Sequence, residues 1–564
     1  MAYNDKKTPD IVNETLRIFK DYSKKRDAWA QQAKEDKEFR LGRQWTKEQS
    51  ETLEARGQAP IVVNRIHPAV ETAKAMLTAN RPSFRCAPRE DSDRKTANVM
   101  SALLTYMYDI SDGRTIIRQA IDDYYVMGIG YINVYQDPMM DMGKGEVCMH
   151  DIDPLDVYVD PNSRNRFFDD AENVIVSRLF SREQAKKLYP KYKKEIDDAN
   201  SEQDFNMPET GRDNESRVFF PEDVGLLHEQ SEYVRGYERY YKLEVEKTRT
   251  YESFSGKEEL LSKEEFEQYI QQPAWIIQGQ VIVDEQQAQQ ISAQLMAQYE
   301  MQKEEAMAME QQKMNQAGLP PEAEMPPIDI QPPQIEQTDY QGLILKKLIE
   351  IVKIKVTRVK QCIIVGETLL YSRVLPIDQY PVVPICNLHT RTPYPTSDVR
   401  MVKGLQEYIN KTRSLIIAHA TTSTNTKILV PEGSVDMKDF EEKWAQPGVA
   451  IPYDPTDGTP VTVQPSPLPN ELYANETTAK NDIDHQLGLY EMMMGNSQAA
   501  PQTYKATISL DEFGQRKIKS KLADIEASLT RVGQVAIPLM QQLYTTEKIF
   551  RVVQPNNSMT EYAI

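Results

Sequence analysis

The chain has 564 residues, of which 40% are hydrophobic and 27% charged, the proportions of a globular domain protein. Its length predicts about three or four compact units rather than one core. The formal net charge of -18 argues against a basic surface that grips nucleic acid through many phosphates, although an acidic wall could still surround DNA without holding it.

The first part of the chain is predicted to be helical. Residues 11–56 are highly charged, with Trp29 and Trp45 as the large anchors, and a short apolar run then stops at Pro68. Apolar spacing predicts three further helices. The first follows Pro68 and continues through Met76 to Asn80, and the others lie at 95–109 and 113–127.

A small β-unit follows these helices. Gly128 and Gly130 end the last of them, and residues 131–136 alternate as a strand. Two Asp-Pro pairs, at 153–154 and 160–161, bracket a second strand. Ser181 followed by Gln184 predicts a capping box at the start of a short helix.

The middle of the chain changes composition twice. Residues 233–251 are predicted to form a strand, whereas residues 285–316 are Gln-, Glu-, Ala- and Met-rich and predict a helix without a sustained heptad. Residues 318–334 are Pro-rich, a composition typical of an extended, mobile connector. We therefore interpret residues 257–340 as an insertion into a β-unit that resumes before Cys386.

A long helix is predicted from Asp398 to Thr426, the stretch around which the chain is organised. Thr396, Ser397 and Asp398 offer capping oxygens. One face carries an apolar stripe with helical spacing: Val399, Val402, Leu405, Ile409, Ile416 and Ala420. Another face carries four charged residues: Arg400, Lys403, Glu407 and Lys411. Lys403 and Lys411 could meet phosphate, but a solvated helix face paired with Glu407 explains them at least as well.

The remaining elements are a short helix at 440–445, strands at 448–453 and 460–465 around the turn 454–458, and a helix at 470–493. The clearest period belongs to the last helix: Ile518, Leu522, Ile525, Leu529, Val532, Ala536, Leu539 and Leu543. Pro538 should kink it. The chain stops at Ile564 without a cap or terminal signal, which suggests a cut within a domain.

Chemical motifs are sparse. There is no phosphate-binding GxxxxGK[ST] loop, and the six histidines and four cysteines show no metal-ligand spacing. Asp151, Asp153, Asp156 and Asp160 lack the glycine and distal glutamate of a calcium loop, so Asp-Pro turns explain them better. We expect no metal, no cofactor and no catalytic residues. No apolar run reaches 18 residues and no signal peptide is apparent, so no membrane association is expected.

The order of four stretches resembles the bacteriophage portal proteins, the head-to-tail connectors of one capsid vertex, most closely the short-tailed podovirus-type branch. They are PVVPIC with TSDVRMVKGLQEYINKTRSLI, DVYVDPNSR, PLPNELYANETTAKNDIDHQLGLYEMMMG, and the last helix running into QQLYTTEKIFRVVQPNN. The resemblance spans roughly residues 40–555, and it is carried by the order of the motifs more than by any one of them. The 257–340 insertion departs from the family pattern. A full crown and any C-terminal barrel are absent, as expected either of a short relative or of a truncated chain.

The resemblance implies a mixed α+β portal fold with a helical/β wing, long stem helices, an α/β clip, a tunnel loop and a long kinked wing helix. The implied divisions are a wing (1–215), a stem and clip region (216–395), a stem helix (396–430), a tunnel-loop region (431–469) and wing helices with the start of a crown (470–564). Arg400, Lys403, Glu407 and Lys411 would face the DNA channel or a neighbouring stem. Asp454, Asp457 and Gly458 would lie in the tunnel loop.

The implied function is non-enzymatic. The family forms a ring, usually of twelve subunits, that conducts double-stranded DNA during packaging and ejection. Implied partners are the terminase large subunit, head-tail adaptor and tail proteins, and the major capsid and scaffolding proteins. The protein would act in the virion, after assembly in the host bacterial cytoplasm. The alternatives are a scaffold or adaptor without a channel, or a DNA-processing enzyme, which would require the Walker loop or acidic metal cluster that the sequence lacks.

Overall fold

The computed structural model describes residues 8–88, 93–199, 233–316, 331–424, 428–444, 446–463, 470–488, 504–544, 549–553 and 559–563. Over these ranges the fold mixes helices and strands, as the sequence predicted. The chain divides into two compact units, Met1–Lys242 with Val359–Ile564, and Leu243–Arg358. None of the described helices is both long and apolar enough to cross a lipid bilayer.

The first unit holds most of the elements. Up to the second unit they are α1 (Thr8–Arg40), α2 (Lys47–Ala55), α3 (Ile66–Leu77), α4 (Arg94–Ile110), α5 (Gly113–Val126), β1 (Ile129–Asp137), β2 (Glu146–Ile152), β3 (Val157–Val159), β4 (Asn173–Ser181), α6 (Arg182–Leu188), α7 (Lys193–Asp198) and β5 (Tyr233–Glu252), which continues into the second unit.

The second unit adds β6 (Glu258–Leu261), α8 (Lys263–Tyr269), β7 (Pro273–Ile277), β8 (Gln280–Ile282), α9 (Glu285–Gln316), β9 (Ile335–Asp339) and α10 (Tyr340–Leu345). The first unit resumes within β10 (Ile349–Val365) and continues with β11 (Thr368–Val374), β12 (Val382–Cys386), α11 (Asp398–Thr424), β13 (Ile428–Leu429), α12 (Met437–Trp444), β14 (Val461–Thr462), α13 (Glu471–Leu487), α14 (Tyr504–Leu543), β15 (Ile549–Val553) and β16 (Met559–Ala563).

A three-stranded antiparallel sheet, in the order β12-β1-β2, lies at the centre of the first unit. Residues 129–134 of β1 are all buried, and both α5 and α14 pack against this sheet. Gly130 permits the close approach of α5, because a Cβ at that position would lie only 2.0 Å from the Ala120 carbonyl oxygen. The glycine pair that predicted a helix end therefore also allows the helix to pack onto the strand that follows.

A second sheet of this unit runs β11-β10-β5-β4-β3. The first half of α1 covers it, where Phe19 meets the Tyr158 and Tyr237 rings at centroid distances of 4.5 and 4.6 Å. Arg26 is fully buried further along α1 and donates to the Val157 and Leu155 carbonyl oxygens. The highly charged N-terminal helix is thus a core element, anchored by one buried cation rather than by apolar residues alone.

The last helix confirms its predicted period. Most residues of the predicted stripe are buried, and three lie half-buried at its ends: Ile518, Leu522 and Leu543. The helix continues through Pro538. The Asp-rich stretch also behaves as predicted, since Asp153 caps a turn by accepting from Leu155 N, and Asp160 accepts from Asn162 N.

Three predicted elements were wrong in detail. Residues 448–453 form no strand; β14 pairs instead with β13, and Pro452 lacks the N–H that a ladder needs. The helix at 470 ends at Leu487 because Gly488 adopts a left-handed φ of 77°. Helix α3 begins at Ile66, before Pro68, because proline is tolerated in a first turn that needs no N–H partner.

In the second unit, a small sheet in the order β8-β7-β9 supports the start of α9. Trp275, Ile277 and Ala288 form its core, with Leu295 packed at the edge. Among the described residues of α9, none beyond Leu295 belongs to a hydrophobic cluster. Met301 and Met309 are each 61% exposed, Met307 is half-buried, and the side chain of Met314 lies outside the described residues.

Candidate functional site

Helix α11 is the candidate site, and α1 secures its first turn. Ser397 caps the helix by accepting from Arg400 N at 2.9 Å, as the sequence predicted. The same hydroxyl donates to Asp36 Oδ2 at 2.6 Å, and Trp29 Nε1 donates to the Pro395 carbonyl oxygen at 3.0 Å. Burial raises the Asp36 pKa to about 6, even though Ser397 and Arg400 favour its charged form.

A buried ion pair secures the same turn from the opposite end of the chain. Lys521 of α14 pairs with Asp398, the first residue of α11, and donates to Asn387 Oδ1 at 3.1 Å. Its ammonium group also lies 5.0 and 4.5 Å from the ring centroids of Tyr124 and Tyr125. The position of α11 is therefore fixed by one carboxylate on α1 and one ammonium group on α14.

Two of the four predicted channel residues are engaged within the chain. Arg400 Nη2 lies 2.8 Å from Glu35 Oε2 and donates to the Gln32 carbonyl oxygen at 2.9 Å. Lys403 pairs with Glu35 and lies 4.6 Å from the Phe39 ring centroid. A hydrogen bond from Lys403 is the main cause that lowers the pKa of Glu35. Both charges are therefore compensated by α1.

The other two predicted channel residues are less engaged. Glu407 is 38% exposed at its side chain, and its nearest cation is Lys403 at 4.0 Å. Lys411 is exposed, and within the described chain no carboxylate lies within ion-pairing distance of it. Of the four, Glu407 and Lys411 have charge available for a ligand or a second subunit.

The predicted apolar stripe is buried along most of its length. Val399, Val402, Ile409 and Ile416 are buried, and Leu405 packs half-buried against the main core. Ala420 was predicted in this stripe and is exposed instead.

Sequence analysis missed a polar ladder on the same helix. Gln406, Asn410 and Ser414 are buried and bind the extended segment 61–65, which pairs with no strand among the described residues. Arg65 N donates to Gln406 Oε1 at 3.0 Å, Val63 N to Asn410 Oδ1 at 3.0 Å and Ile61 N to Ser414 Oγ at 3.3 Å. Gln406 Nε2 returns a bond to the Val63 carbonyl oxygen at 2.8 Å. The sequence pattern that could have predicted this ladder is the spacing of its three amide or hydroxyl side chains, which recur every four residues and so lie on one helix face.

Helix α13 packs on α11 through a buried carboxylate. Glu476, with a side chain only 3% exposed, binds Arg413 of α11 and lies 2.6 Å from Lys480 Nζ. Burial alone would raise its pKa, but the hydrogen bonds from Lys480 and Arg413 outweigh burial and lower the pKa. Arg65 binds Asp484 at 2.9 Å, so α13 is also linked to the segment held by the polar ladder.

The predicted tunnel-loop residues form a compact turn. Asp454 Oδ1 accepts from Thr456 N at 2.9 Å and from Thr456 Oγ1 at 2.7 Å, and these bonds lower the Asp454 pKa. Asp454 N donates to the Ser434 carbonyl oxygen at 2.7 Å. Gly458 has a left-handed φ of 114°. Asp454, Asp457 and Gly458 thus lie together at one turn that rests on residues 431–434.

In the part of the chain that the structure describes, no three His, Cys, Asp or Glu side chains are grouped as a metal site would require. None of the four cysteines, all of which lie in the described residues, forms a disulfide bond. The chemistry of α11 is that of packing and charge along a long helix.

Comparison with known families gives one match of broad extent. A family model described as Phage P22-like portal protein matches residues 16–263 and 322–563, which is most of the chain. A comparison with curated proteins finds no match. The family match omits residues 264–321, which include β7, β8 and α9 of the second unit. The chain therefore belongs to the family of phage P22-like portal proteins.

Proposed function

We propose that this chain assembles into a ring, of twelve copies by analogy with its family, through which double-stranded DNA enters and leaves a phage capsid. The observation that carries the proposal is the family match over residues 16–263 and 322–563. The ring would occupy one capsid vertex in the virion after assembly in the bacterial cytoplasm. Its work is mechanical and needs no catalytic residue.

Helix α11 supports this role as the proposed stem element. Its first turn is fixed by Asp36 and Lys521, and its length of 27 residues corresponds to about 40 Å. Such a helix can present one face to DNA over several turns while its other faces stay packed. Glu407 and Lys411 are the residues we assign to the channel edge, because their charges are the least compensated within the chain.

Protein partners follow from the same proposal. A portal ring would meet major capsid and scaffolding proteins during assembly, the terminase large subunit during packaging and head-tail adaptor or tail proteins afterwards.

The turn at Asp454–Gly458 would belong to the loop that contacts moving DNA. An exposed turn with few core residues is suited to such contact.

Electron microscopy of the purified protein tests the ring directly. We expect closed rings with a central opening, and packaging extracts that contain the protein should protect double-stranded DNA from nuclease. Protein that stays monomeric at every concentration would contradict the proposal, as would a DNA-hydrolysing activity that copurifies with the chain and is abolished by changing its residues. Solid oligomers without an opening would favour the scaffold or adaptor alternative.

A further inference from the structure

One face of α11 is apolar and exposed in the isolated chain. Met401 is 46% exposed, Tyr408 41% and Leu415 47%, and these residues recur at intervals of seven. The spacing places them on one line about 21 Å long. A seven-residue repeat of apolar residues is the pattern with which a helix packs against another helix.

Gly404 lies on the same line, between Met401 and Tyr408. Glycine weakens a helix interior more than any residue except proline. Nothing in the described chain requires it: its φ is not left-handed, and no atom lies within 4 Å of the place where a Cβ would sit. A glycine in open space on an exposed apolar line permits another backbone to approach more closely than side chains would allow.

Within the described chain, α1, residues 61–65 and α13 bind other faces of α11 and leave this line exposed. DNA is a poor fit to this line, since Met401, Gly404, Tyr408 and Leu415 offer no cation to a phosphate. Permanent exposure of this line to solvent is also unfavourable, because three large apolar side chains would then remain in contact with water.

We propose that Met401, Gly404, Tyr408 and Leu415 form a seam against which a neighbouring copy of this chain packs, with Gly404 at the closest approach. The inference rests on the proposed ring, since only repeated copies bring an identical partner to every subunit. Contacts in a ring are heterologous, so the seam meets a different surface of the next copy. The region after α11 supplies exposed apolar side chains for that purpose: Leu429, Val449, Tyr453, Val461, Val463 and Tyr473.

The charges beside the seam agree with this arrangement. Lys411 borders the line and lacks an ion-pairing partner within the described chain, and Glu407 borders it one turn earlier with only a distant one. Both would lie at the rim of the contact, where charged side chains remain hydrated. The seam therefore has an apolar centre and a charged edge, the usual order of a protein–protein interface.

Gly404→Leu tests the seam, because it should maintain or increase the helix content of the subunit while it weakens the association between subunits. Leucine favours the helix and meets open space, so far-UV circular dichroism should show a folded chain with unchanged or higher helix content. Its bulk should prevent close approach, so the concentration needed for assembly in analytical ultracentrifugation should rise about tenfold or more. Ala420→Leu is the matched control: the position is exposed on another side of α11, and assembly should be unchanged.

Normal assembly of the Gly404→Leu protein at wild-type concentrations would overturn the seam and leave the ring intact. Intact rings that conduct DNA poorly would also overturn it, by assigning the line to the channel. If the wild type forms only small open oligomers, the ring proposal fails, and the seam stands only if Gly404→Leu dissociates them. A wild type that is always monomeric overturns both.

Discussion

Asp36 accepts a hydrogen bond from Ser397 Oγ at 2.6 Å across a separation of 361 residues. The Asp36 side chain is 3% exposed, and its Oδ1 lies 3.0 Å from Arg400 Nε. A single carboxylate thus connects the N-terminal helix to the cap of α11. Because burial raises its pKa from 3.8 to about 6, this contact should depend on pH between those two values.

Asp36→Asn should remove that pH dependence. Between pH 3.8 and about 6, the folded protein binds a proton at Asp36 that the unfolded chain has released, so folding stability falls as pH rises through this window. Asparagine can still accept from Ser397 and carries no buried charge. Relative to wild type, the variant should therefore gain about 2–3 kcal/mol between pH 4 and pH 7.5. Denaturant unfolding at both pH values measures the difference, and parallel profiles for the two proteins would contradict it.

Asn410→Leu should destabilise α11 against the extended segment. The change removes the hydrogen-bond partners of Val63 N and of Gln44 Oε1, which accepts from Asn410 Nδ2 at 2.6 Å in a buried place. We expect a loss of about 2–4 kcal/mol in the free energy of unfolding. Ala420→Leu on the same helix removes no such partner and should stay within about 0.5 kcal/mol. Unchanged hydrogen exchange at Val63 in the Asn410 variant would argue against the ladder.

The fold was predictable wherever one local pattern determined it. The period of α14 predicted its buried face because seven turns repeat the same spacing. The exposure of Ala420 was not predictable, since burial there depends on which element lies opposite. The strand expected at 448–453 failed for the same reason: an apolar run becomes a strand only where a partner lies beside it, and β13 pairs with β14 instead.

The candidate site was predictable only in part. Arg400, Lys403, Glu407 and Lys411 share a sequence pattern, but the pattern does not tell which of them have partners. The distinction comes from Glu35, which is more than 360 residues away in the chain and binds Arg400 and Lys403. The polar ladder was missed because Gln406, Asn410 and Ser414 look like an exposed face until the segment 61–65 is placed against them.

Lys403→Ala and Lys411→Ala should differ in effect. The first removes an ammonium group that pairs with Glu35 and covers the Phe39 ring, and it should cost about 1 kcal/mol of stability. The second removes an exposed charge without a partner in the described chain and should change stability by less than about 0.5 kcal/mol. Thermal unfolding of the two variants side by side measures this contrast. An equal loss in both would show that Lys411 has a partner.

Removal of Asp454–Gly458 should impair DNA packaging more than assembly. The turn closes on itself through Asp454 and Thr456, and its side chains are mostly exposed, so the core of the first unit does not depend on it. The shortened protein should form rings of normal size by electron microscopy but protect less DNA in a packaging assay. A matched double substitution, Asp454→Asn with Asp457→Asn, keeps the length and tests charge alone. Failure to form rings after the deletion would mean that the turn is structural.

Deletion of residues 286–333, with a short Gly/Ser linker joining the flanks, should leave rings intact. The family match omits residues 264–321, which include all of α9, so we expect this helix to be dispensable for the portal fold. Only its first turns pack on the sheet, through Ala288 and Leu295, whereas Met301 and Met309 are exposed. Flexible, polarizable methionines are suited to a surface that binds successive partners.

We propose that this segment contacts terminase or adaptor proteins at the clip end of the ring. Purified rings that lack residues 286–333 should therefore bind terminase weakly, with normal subunit number in native mass spectrometry. Met301→Gln with Met309→Gln is the matched control for the methionines, because it keeps the helix and removes only apolar contacts. Undiminished binding by the deleted rings would leave the segment as a tolerated surface excursion. Loss of the rings themselves would show that α9 supports the second unit beyond its first turns.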